Sequence, residues 1–282
     1  MHMEYCNQNQ ATVKNMIEIN HCLIGRFECS FGENSCCYMA EGDLSISSMM
    51  KKKSNSCFPL NHYHGISIII NLDELLPEVR RIMELLNIDL HYIQKYICEG
   101  NRCCIMRANP SIEHIFRNSI MSGKKRKPGY MKIKMLELLL FLSDLNTAEE
   151  VLQTDYFNQN QVALIKAVAS YITEDLTTHH TIEQLSQKFR ISTTALKKCF
   201  RGVYGTSVYS YLRTYRLQVA QKLLLETELS VTEIASKIGY ENPNKFTSAF
   251  KGMYGCSPTE FRKSVRLDRS GLYGVAKKSE LY

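Results

Sequence analysis

The chain has 282 residues, which predicts about two domains. Its composition is 44% hydrophobic and 22% charged, which excludes a wholly disordered protein, and no apolar run reaches the roughly 18 residues that a membrane span needs. The formal net charge of +7 is uneven: residues 161–270 carry 16 basic and 9 acidic side chains, whereas residues 1–160 carry 17 and 18. This asymmetry predicts a nucleic-acid-binding unit joined to a second unit, with a solvated basic face as the alternative.

Eleven cysteines are present. The polar N-terminus predicts no secretion signal, so we expect a cytoplasmic protein with reduced thiols. No Cys-x-x-Cys spacing occurs, and the adjacent pairs Cys36–Cys37 and Cys103–Cys104 are poorly spaced for a tetrahedral zinc site. We therefore expect small buried hydrophobic side chains, with no metal and no cofactor.

Residues 1–110 have the pattern of a β-rich domain. Short apolar runs alternate with turn residues, and residues 66–70 form the most strongly β-branched run. Apolar side chains at helical spacing, with Pro77 near the start, then predict a helix over residues 73–86.

Residues 111–158 are predicted to be a helical dimerisation segment and linker. Ser111 is placed to cap a first helix over residues 111–121. The next helix, over residues 130–145, is apolar around most of its circumference and must be buried on more than one side. Packing against a second subunit predicts a homodimer, and burial within a monomer is the alternative.

Residues 159–266 are predicted to be entirely helical and to contain an internal duplication. Residues 181–213 and 230–263 align at an offset of 49 residues before a turn and 50 after it, so that Phe200 aligns with Phe250 and Tyr204 with Tyr254. Each copy has the pattern of a short helix, a turn and a second helix. Two helix-turn-helix patterns in register are a much stronger signal than one.

The two copies differ in their caps and turns. Ser230 and Glu233 have the spacing of a capping box, which Glu183 misses by one residue in the first copy. In the turn of the second copy, Gly239 suits a positive φ, and Arg190 stands at or near the same place in the first.

A single helix over residues 207–226 is predicted to join the copies. Its length is about 30 Å at 1.5 Å per residue. Successive major grooves on one face of a duplex lie about 34 Å apart. A rigid connector of this length lets both second helices dock on the same face of DNA.

Residues 160–264 resemble the AraC/XylS family of bacterial transcription regulators. The most specific segment is residues 234–262, IASKIGYENPNKFTSAFKGMYGCSPTEFR. Its signature positions hold Ala235, Gly239, Phe246, Phe250, Lys251, Gly255, Pro258 and Arg262. The resemblance implies an effector-responsive transcription regulator, more often an activator, that binds double-stranded DNA and RNA polymerase and is not an enzyme. It also implies an α+β chain: a small cupin-like β-barrel sensor with helices, then an all-α domain with two helix-turn-helix units.

The resemblance implies which side chains face DNA. Base contacts are expected from Thr194, Lys197, Lys198, Asn244, Lys245, Thr247 and Ser248. A lysine can donate to guanine O6 and N7, and a threonine can contact a thymine methyl group. Phosphate contacts, which fix the register, are expected from Arg201, Arg213, Arg216 and Lys251. For any one of these residues a solvated surface side chain is the alternative.

The N-terminal half is loosely similar to the subgroup that includes ferric-siderophore regulators, which implies a small-molecule effector. The expected pocket residues are Arg26, His62, Tyr63 and His64. His62 and His64 are two apart and would share one face of a strand. No further ligand stands at a convincing spacing, so ordinary histidines are expected there rather than metal ligands.

Two other functions are compatible with the same DNA-binding unit. A DNA alkylation-repair or sensor protein would need clustered thiolates on zinc, which the cysteine spacing does not supply. A thiol redox sensor would use Cys36–Cys37 or Cys103–Cys104. Beyond the duplicated region, residues 267–282 are expected to be a disordered tail.

Overall fold

The computed structural model describes residues 15–31, 35–48, 57–60, 62–97, 104–120, 128–145 and 156–269. The chain divides into two compact units, residues 1–159 and 160–282. Residues 270–282, which make up most of the expected tail, lie outside the described residues, as does Cys103. In the described part of the chain, no helix combines the length and the apolar character needed to cross a membrane.

The N-terminal unit contains two antiparallel sheets. Its strands are β1 (Met16–Gly25), β2 (Phe27–Phe31), β3 (Ser35–Met39), β4 (Leu44–Ser48), β5 (Tyr63–Asn71), β6 (Cys104–Met106) and β7 (Phe157–Asn158). One sheet has the order β5-β1-β4-β6 and the other β2-β3-β7. The described strands form no closed barrel. The expected α+β fold class is confirmed at this level.

Helices cover one face of the larger sheet. They are α1 (Pro77–Leu85), the single turn α2 (Leu90–Tyr92), a π-helical turn (Ile93–Ile97), α3 (Pro110–Ile120) and α4 (Pro128–Ser143). Ile19 of β1 lies opposite Ile46 of β4 and Ile68 of β5. Ile19 and Ile46 belong to the same buried core as Leu138 and Leu142 of α4. Alternate β-branched side chains on the strands thus pack against apolar helix faces.

Helix α4 is buried unevenly along its length. Leu138, Leu139 and Leu142 are buried in the core of the unit. Near the N-terminal end, Met131 is 44% exposed and Ile133 is 64% exposed. Burial within the unit therefore accounts for the C-terminal half of this apolar helix and leaves an apolar surface at the other half.

All the regular elements described in the C-terminal unit are helices. Its helices are α5 (Gln159–Glu174), α6 (Ile182–Lys188), α7 (Thr193–Tyr204), α8 (Val208–Glu226), α9 (Val231–Lys237), α10 (Pro243–Tyr254) and α11 (Pro258–Arg269). Ser207 caps α8, its side chain accepting from the backbone N–H of Ser210. Helix α8 is the predicted connector, and its 19 residues span about 28 Å.

The duplication is confirmed in three dimensions. Phe200 meets Tyr211 edge to face with ring centroids 5.5 Å apart, and Phe250 meets Phe261 in the same way at 5.6 Å. Edge-to-face aromatic pairs add about 1 kcal/mol beyond the area that they bury. The same local core thus holds the second helix of each copy against the helix that follows.

Both copies begin with a capping box. In the second copy, Ser230 and Glu233 exchange hydrogen bonds as expected. In the first copy, the Thr181 side chain accepts from the Gln184 N–H, and the Gln184 side chain accepts from the Thr181 N–H. The expectation that the first copy misses this motif was wrong, because Gln184 rather than Glu183 occupies the third helical position.

Candidate nucleic-acid interface

In the first helix-turn-helix, the turn is built around a residue with positive φ. Arg190 has φ +50°, and Gly239, at the same place in the second copy, has φ +79°. The predicted equivalence of the two positions is confirmed. A left-handed residue other than glycine costs about 1 kcal/mol or more, so the first copy has the more strained turn.

Helix α7 follows this turn and presents a polar face. The Ser192 side chain caps it by accepting from the Ala195 N–H at 3.2 Å. The buried side chains are Leu196, Cys199, Phe200, Val203 and Tyr204. The exposed side chains include Thr194, Lys197, Lys198 and Arg201. Helical spacing places these four on one side, where they are available to DNA, and their contacts with bases and phosphates stay predictions.

Helix α10 has the same design in the second copy. Asn242 caps it by accepting from the Asn244 N–H at 2.8 Å, and Pro243 begins the helix. Phe246, Ala249 and Phe250 are buried. Asn244, Lys245, Ser248 and Lys251 are exposed, whereas Thr247 is half-buried. Thr247 therefore offers less surface to a base than the sequence suggested.

The electrostatics of both second helices favour a polyanion. Helices α7 and α10 contain no acidic residue, and each carries exposed cationic side chains. Lys197, Lys198 and Arg201 lie on α7, and Lys245 and Lys251 lie on α10. Cationic faces without carboxylates attract the phosphate backbone and steer association.

The expected phosphate contacts on α8 divide into one exposed and one buried residue. Arg213 is exposed and lies beside Tyr240. Arg216 is only 7% exposed, and its Nη2 donates to the Leu176 carbonyl oxygen at 2.6 Å. Burial lowers the pKa of its guanidinium. The phosphate contact of Arg216 stays a prediction that this burial disfavours, because the side chain lies inside the unit and binds the backbone.

The expected effector residues cluster around the end of β1, but not as a metal pair. Tyr63 lies opposite Gly25 in the β1–β5 pairing, and Arg26 follows directly. The Arg26 guanidinium is half-buried, which lowers its pKa. His62 precedes β5, with its Nδ1 2.9 Å from the Leu60 carbonyl oxygen. His64 is exposed on β5, whereas His62 lies just before the first residue of that strand.

Metal and thiol chemistry find no support among the described side chains. In that part of the chain, no group of three His, Cys, Asp or Glu residues could hold a metal ion. Cys22, Cys29 and Cys37 instead pack into a small apolar core with Met39 and Ile105. Burial raises the pKa of Cys22 to about 12, so its reactive thiolate form is scarce.

A buried carboxylate that the sequence did not single out organises the turn between β3 and β4. Asp43 is 2% exposed and accepts from Arg107 Nη1 at 2.6 Å. The backbone N–H groups of Ala40 and Ala108 donate to it at 2.8 and 3.0 Å. The sequence pattern at Gly42 and Asp43 predicts only a turn. Arg107 stands too far along the chain for any local sequence pattern to link it to Asp43.

The comparison with protein families agrees with this geometry. Residues 185–264 match a family model described as a helix-turn-helix domain. The C-terminal unit contains an AraC-type helix-turn-helix domain. The matched segment runs from α6 into α11 and so includes both turns and the second helix of each copy, α7 and α10.

Curated relatives match mainly through the AraC-type domain. The chain is 36% identical over 103 residues to the uncharacterized HTH-type transcriptional regulator YdiP of Escherichia coli K12, covering 36% of this chain and 34% of the relative. It is 33% identical over 106 residues to the HTH-type transcriptional activator RhaR of Enterobacter sp. 638, covering 38% of each. It is 28% identical over 160 residues to the xylose operon regulatory protein of Escherichia coli K12, covering 54% and 40%. The chain thus spans about a third to two fifths of the length of these relatives.

Proposed function

We propose that this protein is a sequence-specific DNA-binding transcription regulator whose helices α7 and α10 read two successive major grooves. The observation that carries the proposal is the pair of exposed cationic faces, free of carboxylates, on two helix-turn-helix units joined by α8. The connector spans about 28 Å. This length supports docking of both reading helices on one face of a duplex, where grooves recur about every 34 Å.

The two reading helices offer different chemistry to the bases. Lys197 and Lys198 on α7 are exposed donors suited to guanine O6 and N7. Asn244 on α10 can pair with adenine N6 and N7 through its amide. Ser248 is short, so we expect α7 to specify more of the sequence than α10.

This assignment is tested by measuring how variants of α7 bind duplexes that the wild-type protein has selected from random sequences. Lys197→Gln should change the preferred base at one position of one motif and leave the other motif unaltered. Arg201→Gln removes an expected phosphate contact and should weaken binding to all duplexes alike. It should also reduce the magnitude of the slope of log affinity against log salt by about 0.9. If Lys197→Gln instead weakened all sequences equally, α7 would not read bases through this residue.

For the N-terminal unit, we propose a sensor of a small-molecule effector with a compact, cupin-like β architecture. A pocket near the end of β1 is supported by the contact between the Phe27 and Tyr63 rings, whose centroids lie 5.3 Å apart, and by the half-buried Arg26, whose guanidinium lies 5.9 Å from the centre of the Tyr38 ring. The exposed Met131 and Ile133 on α4 support a homodimer through that helix. Effector binding would shift how the two DNA-binding units of the dimer are held.

We further propose that the regulator acts in the cytoplasm, activates transcription through RNA polymerase and has no enzymatic activity. Support for activation comes from RhaR, which is named a transcriptional activator.

Deletion of residues 1–158 should leave DNA binding intact and abolish any effector response, and a truncated protein that still responds would contradict the sensor assignment. Ile133→Glu should convert a dimer into a monomer in sedimentation, and an unchanged mass would remove α4 from the interface.

A further inference from the structure

We propose that Arg216 is a positioning residue that fixes the angle between the two reading helices, and hence the spacing of the two DNA motifs that the protein accepts. The proposal rests on the DNA reading proposed above. The Arg216 side chain is buried, and its Nη2 donates to the Leu176 carbonyl oxygen. It acts through the Leu176 backbone.

The first observation is where Leu176 lies. Leu176 follows α5 and precedes the first helix-turn-helix in the chain, yet its side chain packs against the core of the second, around Ile234, Phe246 and Phe250. Its carbonyl oxygen accepts from Arg216 Nη2 at 2.6 Å. Hydrogen bonds that involve a charged donor are the stronger kind. Arg216 therefore attaches the segment that follows α5 to the connector α8, next to the core of the second helix-turn-helix.

The second observation is the close approach of the same carbonyl to the turn of the second helix-turn-helix. A Cβ added to Gly239 would lie 2.0 Å from the Leu176 oxygen and 3.0 Å from Arg216 Nη2. The connector α8, the segment after α5 and the turn before α10 thus meet at one point. We call Leu176, Arg216 and Gly239 the junction.

The third observation is that the end of α5, just before the junction, packs against the first helix-turn-helix. Tyr171 of α5 packs edge to face on Phe189, with ring centroids 5.8 Å apart, and Lys188 Nζ lies 4.2 Å above the Tyr171 ring. Between Tyr171 and Leu176, the Asp175 carboxylate accepts from the Thr177 N–H at 2.9 Å. Only four residues lie between Tyr171, which contacts the first helix-turn-helix, and Leu176, which contacts the second.

Residues 171–176 therefore form a second connection, in addition to α8, between the two helix-turn-helix units. Helix α8 is held to the first helix-turn-helix through Tyr211 and to the second through Leu217, Ala220 and Leu224. Residues 171–176 add a connection from the first helix-turn-helix that Arg216 fastens to α8, which further restrains rotation of one helix-turn-helix relative to the other. Without the Arg216–Leu176 bond, each reading helix keeps its own core, while their mutual angle loses a restraint. Two linked modules gain affinity only when both can engage at once, so the angle controls binding to paired motifs and not to one.

The test uses the full-length protein and four forms: wild type, Arg216→Met, Arg216→Lys and the control Lys222→Met. Lys222 is an exposed cation on the same helix, α8. Methionine is close to arginine in length, and replacing a buried charge by a well-packed apolar side chain is often neutral for stability. Binding is measured on duplexes that carry both selected motifs at the selected spacing, both motifs one or two base pairs closer or farther apart, or one motif only.

We expect Arg216→Met to lose about tenfold in affinity for paired motifs at the selected spacing, because simultaneous engagement is impaired. Its affinity for one motif should stay within about twofold of wild type, and its preference for the selected spacing should shrink. Arg216→Lys keeps a charged donor and should restore part of that preference, while Lys222→Met should match wild type. Ratios between duplexes for one variant do not depend on its folded fraction.

Two results would overturn the positioning role. One is an Arg216→Met protein with the wild-type spacing profile. The other is an equal loss on one-motif and two-motif DNA, which marks a residue needed only for folding. A wild-type protein without preference for paired motifs over scrambled duplexes would instead refute the proposed DNA reading, and the positioning role with it.

Discussion

Gly239→Ala and Gly255→Ala form a matched pair in which the backbone strain is the same and the surroundings differ. Gly239 has φ +79° and Gly255 has φ +76°. A Cβ at Gly255 would meet nothing within 4 Å, whereas one at Gly239 would lie 2.0 Å from the Leu176 carbonyl oxygen. Comparison of the two variants therefore separates the cost of the left-handed backbone from the cost of moving the junction.

The expected free energies of unfolding follow from these distances. An alanine in the left-handed region costs about 1 kcal/mol, which is the whole effect at Gly255. At Gly239 the Leu176 carbonyl must also retreat by about 1 Å, and a charged hydrogen bond of the kind that Arg216 makes contributes about 1.5–3 kcal/mol. We expect a loss of about 2.5–4 kcal/mol for Gly239→Ala.

Urea denaturation of the full-length variants, followed by far-ultraviolet circular dichroism, measures the difference. The seven helices of the C-terminal unit contribute much of this signal. Gly239→Ala should unfold at clearly lower urea concentration than Gly255→Ala, with a similar slope. Equal midpoints for the two variants would refute the close packing of the junction.

Three further predictions concern the N-terminal unit. Burial lowers the pKa of His21, which stacks on Phe116, so the unfolded chain binds more protons below the ordinary pKa of 6.5. The melting temperature of the N-terminal unit, measured by calorimetry, should therefore fall as the pH is lowered from 7.5 to 5.5. His21→Phe should make this fall smaller, and an unchanged dependence on pH would show that another group titrates. Asp43→Ala leaves the Arg107 guanidinium and two backbone N–H groups without their acceptor and should destabilise this unit by about 3 kcal/mol, and a loss below about 1 kcal/mol would contradict the buried network. Because its pKa is raised to about 12, Cys22 should stay unmodified by iodoacetamide at pH 8 in mass spectra of the native protein, and rapid alkylation would disprove its burial.

Much of the C-terminal unit could be predicted because its signals are local and occur twice. Capping residues, apolar spacing and the repeated aromatic positions lie within a few residues of the elements that they define. The connector was expected over residues 207–226 and is observed as Val208–Glu226. The second helix predicted for the second copy is observed as Pro243–Tyr254.

Apart from the local capping box at Thr181, what the sequence did not reveal are contacts between distant positions. Arg216 was expected at the surface from the family resemblance, and its partner Leu176 stands 40 residues away. Asp43 and Arg107 are 64 residues apart. No periodicity links such pairs, so a buried charge within an amphipathic helix is not distinguishable in sequence from an exposed one. Their detection needs the tertiary structure.

The central claim, paired groove reading, is tested most directly by selecting random duplexes with the full-length protein near physiological salt and sequencing the bound fraction. We predict enrichment of two short motifs about one helical turn, or 10–10.5 base pairs, apart. Binding without enrichment that only weakens as salt rises would mean phosphate contact alone and would contradict sequence-specific reading by α7 and α10.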